Sequence, residues 1–272
     1  MDAFPLATLS PEVLLPGVVE WLAFVGLFAL RVAAVFMMTP VLYGLPLPTS
    51  VRMLLIVSLS LALASGLALP ADVWNGWGPF FLAATREVAL GATLGLGILL
   101  AFGAFSVAGQ ILDVQLGFGM AQLIDPVTRR PVPILTSAFE HLGVLVFFLV
   151  NGHHALLRGI SYSVERFPVG APWSVAHAAA PLLKQAAGLF SLGFALAAPV
   201  VFCILLVEFA LSVIGRNLPQ MNMFTMGIPV KIVVGLIALS LWFAGIGGVM
   251  TRVYSSISTT WSAIFVAAEQ GR

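Results

Sequence analysis

The sequence predicts an all-α protein of the polytopic membrane type, built of helical hairpins. Of its 272 residues, 60% are hydrophobic and only 8% are charged, whereas average proteins carry about 25% charged residues. So few charges cannot supply the polar surface that a free-standing soluble domain of this size needs. The apolar residues form long runs without alternation, which excludes a closed β-barrel and favours helices that satisfy their own backbone groups. We therefore expect the chain to be surrounded by lipid or by other apolar protein.

Six apolar segments make up most of the chain, and each reaches or approaches the roughly 20 residues that a helix needs to cross the hydrocarbon core. They cover residues 13–38, 51–69, 88–112, 132–150, 185–211 and 228–250. Prolines separate the early segments, and Trp74 and Trp77 in the second break are suited to a membrane interface. The longest break, residues 151–181, is expected to be a polar excursion with a helical turn near residues 174–180.

Ionisable residues lie inside these segments or at their ends, where lipid disfavours them. They are Glu20, Arg31, Glu140, Lys184, Glu208 and Lys231. For Lys184 and Lys231 the alternative is that the side chain reaches the interface from a segment end. The positive charges divide almost evenly between the two sides of an alternating six-span arrangement, so they give no orientation. Some segments are therefore expected to pack on partner subunits instead of lipid.

Familiar chemistry motifs are absent from the sequence. The net charge of +1 does not indicate nucleic-acid binding, and the lone Cys203 excludes an internal disulfide. The sequence lacks HExxH and P-loop motifs. The adjacent His153 and His154 would point in different directions on a helix, and no third metal ligand is obvious nearby. We expect no catalytic residue, no cofactor and no metal, although an intramembrane enzyme and a secondary transporter remain alternatives for a chain of this composition.

Two stretches interrupt the apolar pattern. The first, residues 108–126, has glycines at positions 109, 117 and 119 that loosen the backbone. Its polar side chains are Gln110, Asp113, Gln115, Gln122 and Asp125. A flexible apolar loop between polar anchors can seal a channel by dewetting, although an ordinary connection at a helix end fits the same residues. The second, residues 208–231, is broken by two prolines and two glycines; it indicates a helical hairpin, which can also line a pathway.

Several motifs, in sequence order, resemble the FliR family of flagellar type III export-gate proteins. They are Ala-Gly-Gln-Ile-Leu-Asp-x-Gln-x-Gly at 108–117, Met-Ala at 120–121, Asp-Pro at 125–126, Asn-Gly-His-His at 151–154, Pro-Gln-Met-Asn at 219–222 and Gly-Ile-Pro-Val-Lys at 227–231. The resemblance covers nearly the whole chain. The related SctT family of virulence type III secretion shares the architecture, but the motifs at 151–154 and 219–222 are closer to the flagellar branch.

The resemblance implies a fold, a location and partners. It implies a FliP-like part over residues 1–184, followed by a FliQ-like helical hairpin and tail over residues 185–272. The family joins FliP and FliQ in a helical export-gate ring in the bacterial inner membrane, at the flagellar basal body, with FlhB at the cytoplasmic entrance. Unfolded substrates pass through the central pore. Much of the assembled gate is lifted from the bilayer towards the periplasm. A secondary transporter and a virulence gate subunit are the alternative functions.

The resemblance also implies roles for individual residues. The plug loop that obstructs the closed pore is formed by Leu116, Gly117, Phe118, Gly119 and Met120, of which the leucine, phenylalanine and methionine supply the apolar obstruction. The polar anchors of this loop are Gln110, Asp113, Gln115 and Asp125. Contacts between helices or subunits are expected at Arg31, Glu140, Glu208, Gln220, Asn222 and Lys231. The sequence does not assign ion-pair partners within this set.

Overall fold

The computed structural model describes residues 11–43, 48–67, 76–118, 133–217 and 223–270, and its regular elements in these ranges are α-helices. The helices are α1 (Pro11–Met38), α2 (Pro40–Tyr43), α3 (Thr49–Ala64), α4 (Trp77–Leu116), α5 (Ile134–Leu149), α6 (Gly152–Arg166), α7 (Ala176–Asn217), α8 (Met223–Phe243) and α9 (Gly247–Gln270). An all-α fold of membrane-type helices is therefore confirmed.

The helices group into two compact units. The first comprises Met1–Leu96, His154–Ala180 and Trp261–Arg272, and the second comprises Gly97–His153 and Pro181–Thr260. The boundaries fall within α4, α6, α7 and α9, so that each of these helices contributes to both units. The expected division at residue 184 rests on family likeness instead of contacts, and it stays a prediction.

The first unit is held together by close approach of α1 and α4. A Cβ atom on Gly91 would overlap the Arg31 carbonyl, and one on Gly95 would lie 3.1 Å from the Val35 carbonyl oxygen. Glycine at both positions lets the two backbones approach, as small residues do in membrane helix pairs. The indole of Trp261 in α9 is buried and donates a hydrogen bond of 3.0 Å to the Leu94 carbonyl.

The second unit contains an antiparallel pairing of α4 with α5. Along it, Gly109 lies against Thr136, Gly143 lies against the Phe105 ring, and the rings of Phe102 and Phe147 have centroids 5.6 Å apart. Tyr254 of α9 packs on the same aromatic rings, and its hydroxyl donates a 2.6 Å hydrogen bond to the Gly143 carbonyl. The helices α4 and α5 are thus fixed in one register.

All six predicted apolar segments contain a helix, but the helices α2, α6 and α9 were not expected. The prediction of a polar excursion after residue 151 is wrong for α6, whose Leu156, Ile160 and Val164 are buried on one face while polar residues cover the other. An amphipathic helix of this kind has the 3.6-residue period without a long apolar run. The serine- and threonine-rich helix α9 likewise buries Val253, Ile264 and Phe265.

The six apolar segments do not all form helices of spanning length. Four helices in the described ranges are long and apolar enough to cross a membrane: Gly17–Met38, Trp77–Leu116, Ala176–Asn217 and Thr225–Phe243. A fifth span results only if α5 and α6 together count as one broken span, and α3 is a shorter apolar helix. With a rise of about 1.5 Å per residue, a 16-residue helix such as α3 falls short of the roughly 30 Å hydrocarbon core.

Candidate functional site

A buried polar network surrounds Arg31 in the first unit. The Arg31 guanidinium donates from Nε to Oε2 of Glu87 at 2.6 Å and from Nη2 to Oε1 at 3.0 Å. It also donates to the Ser163 hydroxyl at 3.1 Å and to the Phe167 carbonyl at 2.9 Å. The backbone N–H of Gly170 donates to Glu87 at 2.8 Å. The two-pronged ion pair thus joins α1 to α4. The other hydrogen bonds of the same two side chains join these helices to α6 and to the turn that follows it.

Burial decides what this network does. The Arg31 and Glu87 side chains are 1% and 2% exposed, so both charges are removed from water and depend on each other. Such a pair gives little net stability compared with apolar residues, but it is costly to break, because the remaining charge is left buried without a partner. The network therefore specifies how the helices of the first unit meet.

Glu87 was missed by the sequence reasoning. The apolar segment was expected to begin at residue 88, whereas α4 begins at Trp77 and includes Glu87 within a candidate span. An acidic residue next to an apolar run would have been the signal, since a buried arginine needs a carboxylate. The contact role predicted for Arg31 between helices is visible in this pair, whereas a contact with another subunit stays a prediction.

A second polar site lies where α4 meets the start of α5. Asp113 is 3% exposed, and its carboxylate accepts hydrogen bonds from the N–H of Leu135 at 3.0 Å, the N–H of Thr136 at 2.9 Å and the Thr136 hydroxyl at 2.8 Å. The first N–H groups of a helix lack partners within it and carry partial positive charge. Asp113 therefore caps α5 from a neighbouring helix.

Gly109 makes this cap possible. It lies one helical turn before Asp113 on α4, and a Cβ atom there would overlap the backbone of Thr136. Any larger residue would push α5 away and stretch the hydrogen bonds to Asp113. Of the predicted plug-loop anchors, Asp113 thus bonds α5 directly, while Gln110 is exposed and Gln115 is half-buried. Asp125 lies outside the described residues.

The predicted plug residues begin at the end of α4. Leu116 is its last residue and is fully buried. Gly117 follows with φ 86° in the left-handed region that glycine adopts readily, and Phe118 is half-buried. Gly119 and Met120 lie outside the described residues, so a plugging role for residues 116–120 stays a prediction.

The remaining predicted contact residues lie in the second unit. Glu140 is exposed on α5 and accepts a 2.6 Å hydrogen bond from the Ser106 hydroxyl of α4. Lys231 of α8 forms an ion pair of 2.6 Å with Glu208 of α7, and these side chains are 21% and 40% exposed. The pair joins the two helices of the hairpin predicted at residues 208–231. Gln220 and Asn222 lie outside the described residues.

The surface of the second unit is rich in exposed apolar side chains. On α7, Phe194, Phe202 and Phe209 are 55%, 63% and 71% exposed. Exposed apolar patches of this kind mark contact with lipid or with other protein. Among the described residues, no group of three or more histidine, cysteine, aspartate or glutamate side chains could hold a metal ion. The described geometry therefore offers helix contacts and apolar surfaces as its functional features.

Comparison with known proteins identifies the family. Residues 22–257 match the model of the family described as bacterial export proteins, family 1. The chain is 34% identical over 182 residues to the flagellar biosynthetic protein FliR of Bacillus subtilis, covering 65% of this chain and 69% of that protein.

Two other relatives show the breadth of the family. The chain is 29% identical over 221 residues to FliR of Escherichia coli, covering 80% of this chain and 84% of that protein. It is 28% identical over 204 residues to the surface presentation of antigens protein SpaR of Shigella sonnei, covering 74% and 77%. The chain therefore belongs to family 1 of the bacterial export proteins, and its predicted membership of the FliR family is confirmed.

Proposed function

We propose that this chain is a core, non-enzymatic subunit of a bacterial flagellar type III export gate, located in the inner membrane at the flagellar basal body. The observation that carries the proposal is the family match over residues 22–257, together with flagellar relatives that match most of the chain. Four apolar helices of spanning length support a membrane location. In this function the chain joins homologues of FliP and FliQ around the path that unfolded flagellar proteins take.

The exposed apolar surface supports assembly with other membrane subunits. The ion pair of Lys231 and Glu208 adds polarity to an otherwise apolar hairpin, because both side chains are partly exposed. Half-exposed charges are unfavourable against lipid tails but can be accommodated by protein donors and acceptors. We infer that the α7–α8 hairpin, with Gln220 and Asn222 between its two helices in the sequence, meets neighbouring gate subunits or FlhB. We also propose, from the family resemblance alone, that much of the assembled gate is lifted towards the periplasm.

Within the gate, residues 116–120 act as the plug. Single-residue deletions could be compensated by a shift of the end of α4. The test therefore deletes the whole segment 116–120. We expect the membrane to become leaky to ions and small solutes, because an apolar constriction no longer excludes water from the pore. The readout is solute entry into cells that contain the assembled gate. Unchanged permeability with normal assembly would remove the sealing role.

The assembly itself is tested by co-purification. The chain is expressed with its FliP and FliQ homologues, each alone and all together, and extracted in mild detergent. The expected result is a stoichiometric complex that is recovered only when all three are present. A stable monomer that ignores both partners would overturn the proposed function.

A virulence gate is the second candidate, favoured by the match to SpaR. The two candidates differ in the protein family that passes through the gate. Complementation of a motility defect in a strain lacking its own FliR supports the flagellar role. Restored virulence-type secretion without motility would support the other role.

A further inference from the structure

Leu116, the last residue of α4, is buried, although a side chain at the end of a helix is ordinarily exposed. Leu116 has 0% exposure, whereas Val114, two residues earlier, is 74% exposed. Burial at this position requires another element to cover the side chain. The covering residues lie in the parts of α7 and α8 that belong to the second unit together with this end of α4.

Gly235 provides the space that Leu116 occupies. A Cβ atom on Gly235 would overlap Cδ2 of Leu116, and it would lie 3.0 Å from Leu116 Cγ and 3.4 Å from Cδ1 of Ile204. Ile204 is itself fully buried. A side chain as small as alanine at residue 235 therefore displaces the leucine. We call this site, formed by Gly235 and Ile204, the α8 notch.

The α8 notch lies next to the partly exposed ion pair. Gly235 is one helical turn after Lys231 on α8, and Ile204 is one turn before Glu208 on α7. Residues four apart in a helix lie on the same face. The Lys231–Glu208 pair, at 2.6 Å, and the notch are therefore successive levels of the same contact between α7 and α8. A change in how these two helices meet would act on Leu116 directly.

We propose that Leu116 is a positioning residue, which ties the end of α4 to the α7–α8 hairpin by sitting in the α8 notch. This inference rests on the proposed plug function and changes one part of it. A fully buried side chain is an anchor and not an obstruction, so the obstruction begins at Phe118, after the left-handed turn at Gly117. The α8 notch fixes the point from which the plug segment starts, and it links that point to the hairpin proposed to contact neighbouring subunits.

The test fills the notch and then restores it. Gly235→Ala is introduced into the full chain, co-expressed with both partner homologues, and solute leakage is measured alongside the yield of the complex. We expect leakage several-fold above the unsubstituted gate with an unchanged yield, because only the seat of Leu116 is lost. Gly188→Ala in α7 is the matched control, since a Cβ atom there has nothing within 4 Å.

A compensating variant separates positioning from general damage. Leu116→Val combined with Gly235→Ala moves one carbon from residue 116 to residue 235 and conserves the packed volume. We expect this double variant to bring leakage back towards that of the unsubstituted gate. A purely structural fault at residue 235 would lower the yield of the complex and would not be relieved by a change at residue 116.

The deletion of residues 116–120 shows which idea fails. Leakage in the deletion but not in Gly235→Ala overturns the α8 notch and leaves the plug. Absence of leakage in both overturns the plug itself. Leakage in Gly235→Ala that persists in the double variant overturns the anchoring role of Leu116.

Discussion

Two ion pairs, one in each unit, have the same closest nitrogen–oxygen distance, although Arg31–Glu87 is two-pronged and Lys231–Glu208 is not. The closest nitrogen–oxygen distance is 2.6 Å both for Arg31–Glu87 and for Lys231–Glu208. The first pair is 1% and 2% exposed, whereas the second is 21% and 40% exposed. Since the shortest distances match, we expect the difference in function to come from burial, from the second prong of the Arg31–Glu87 pair and from the other partners of each group.

The first pair is used within the chain, and we expect the second, which is partly exposed, to be the one available to other chains. Arg31 also bonds Ser163 and the Phe167 carbonyl, and Glu87 also accepts from Gly170. Glu208, in contrast, keeps 40% of its side chain accessible, so it can accept further hydrogen bonds from a neighbouring subunit. Loss of the first pair should therefore destabilise the isolated chain, and loss of the second should mainly weaken assembly.

The largest effect is expected for Glu87→Ala. It leaves the Arg31 guanidinium buried without its carboxylate, which costs roughly 3–5 kcal/mol. The measurement is the free energy of unfolding of the purified chain in mixed micelles. Ser163→Ala is the matched control, since it removes one neutral hydrogen-bonding partner of the same guanidinium and should cost about 1 kcal/mol. Equal losses for the two variants would contradict a special role for the buried charge.

A smaller effect is expected for Asp113→Ala. The first N–H groups of α5 lose their acceptor, and an unsatisfied buried group costs about 1–3 kcal/mol. Hydrogen exchange should therefore accelerate at the amides of Leu135 and Thr136, with little change in the middle of α5. Gln110→Ala, at an exposed position on the same helix, is the control. Uniform acceleration along α5 in both variants would show that the cap is not local.

Glu208→Gln should hardly change the stability of the isolated chain. The glutamine of this variant keeps an oxygen that can accept from Lys231, and neither side chain of the pair is fully buried, so the loss should be much smaller than for Glu87→Ala. The yield of the complex with the partner homologues should fall by more than the stability change explains. If the yield is unaffected while the isolated chain is destabilised as strongly as by Glu87→Ala, the distinction between the two pairs is lost.

The smallest effect is expected at the exposed pair of Arg166 and Glu269. Their side chains are 46% and 45% exposed, and the closest contact is 2.7 Å. Solvent screens such a pair, so Glu269→Gln should leave both the unfolding free energy and the complex yield unchanged. A clear loss of complex would show that this surface, too, contacts a partner.

The sequence predicted the helices where apolar residues are continuous and missed them where they are periodic. The segments at 13–38 and 185–211 lie within α1 and α7. Helix α6 was missed because its apolar residues are spaced along one face, and α9 because its apolar face is diluted by serine and threonine. The apolar composition of a sequence window is enough to detect a helix whose apolar residues are continuous. A helix with apolar residues on one face only is detected by their 3.6-residue spacing.

The candidate site was predicted residue by residue but not contact by contact. Arg31 was selected because charge is costly in an apolar segment, and Asp113 was selected as a polar anchor of the predicted plug loop. Their partners, Glu87 and the first amides of α5, lie 56 and 22 or more residues away along the chain. Local spacing carries no information about such pairs. The notch at Gly235 was equally invisible, because a glycine in a helix gives no indication of which side chain fills the space.

The bond between Asp113 and the start of α5 also bears on how this family can vary. It closes a ring of chain from residue 113 to residue 135, so the two helices hold each other whatever lies between them. The entropy cost of closing such a ring grows only with the logarithm of its length, about 0.6 kcal/mol for each doubling. Insertions and deletions between the helices should thus be nearly neutral for folding, so the length of that segment can change while the pairing of α4 with α5 is kept.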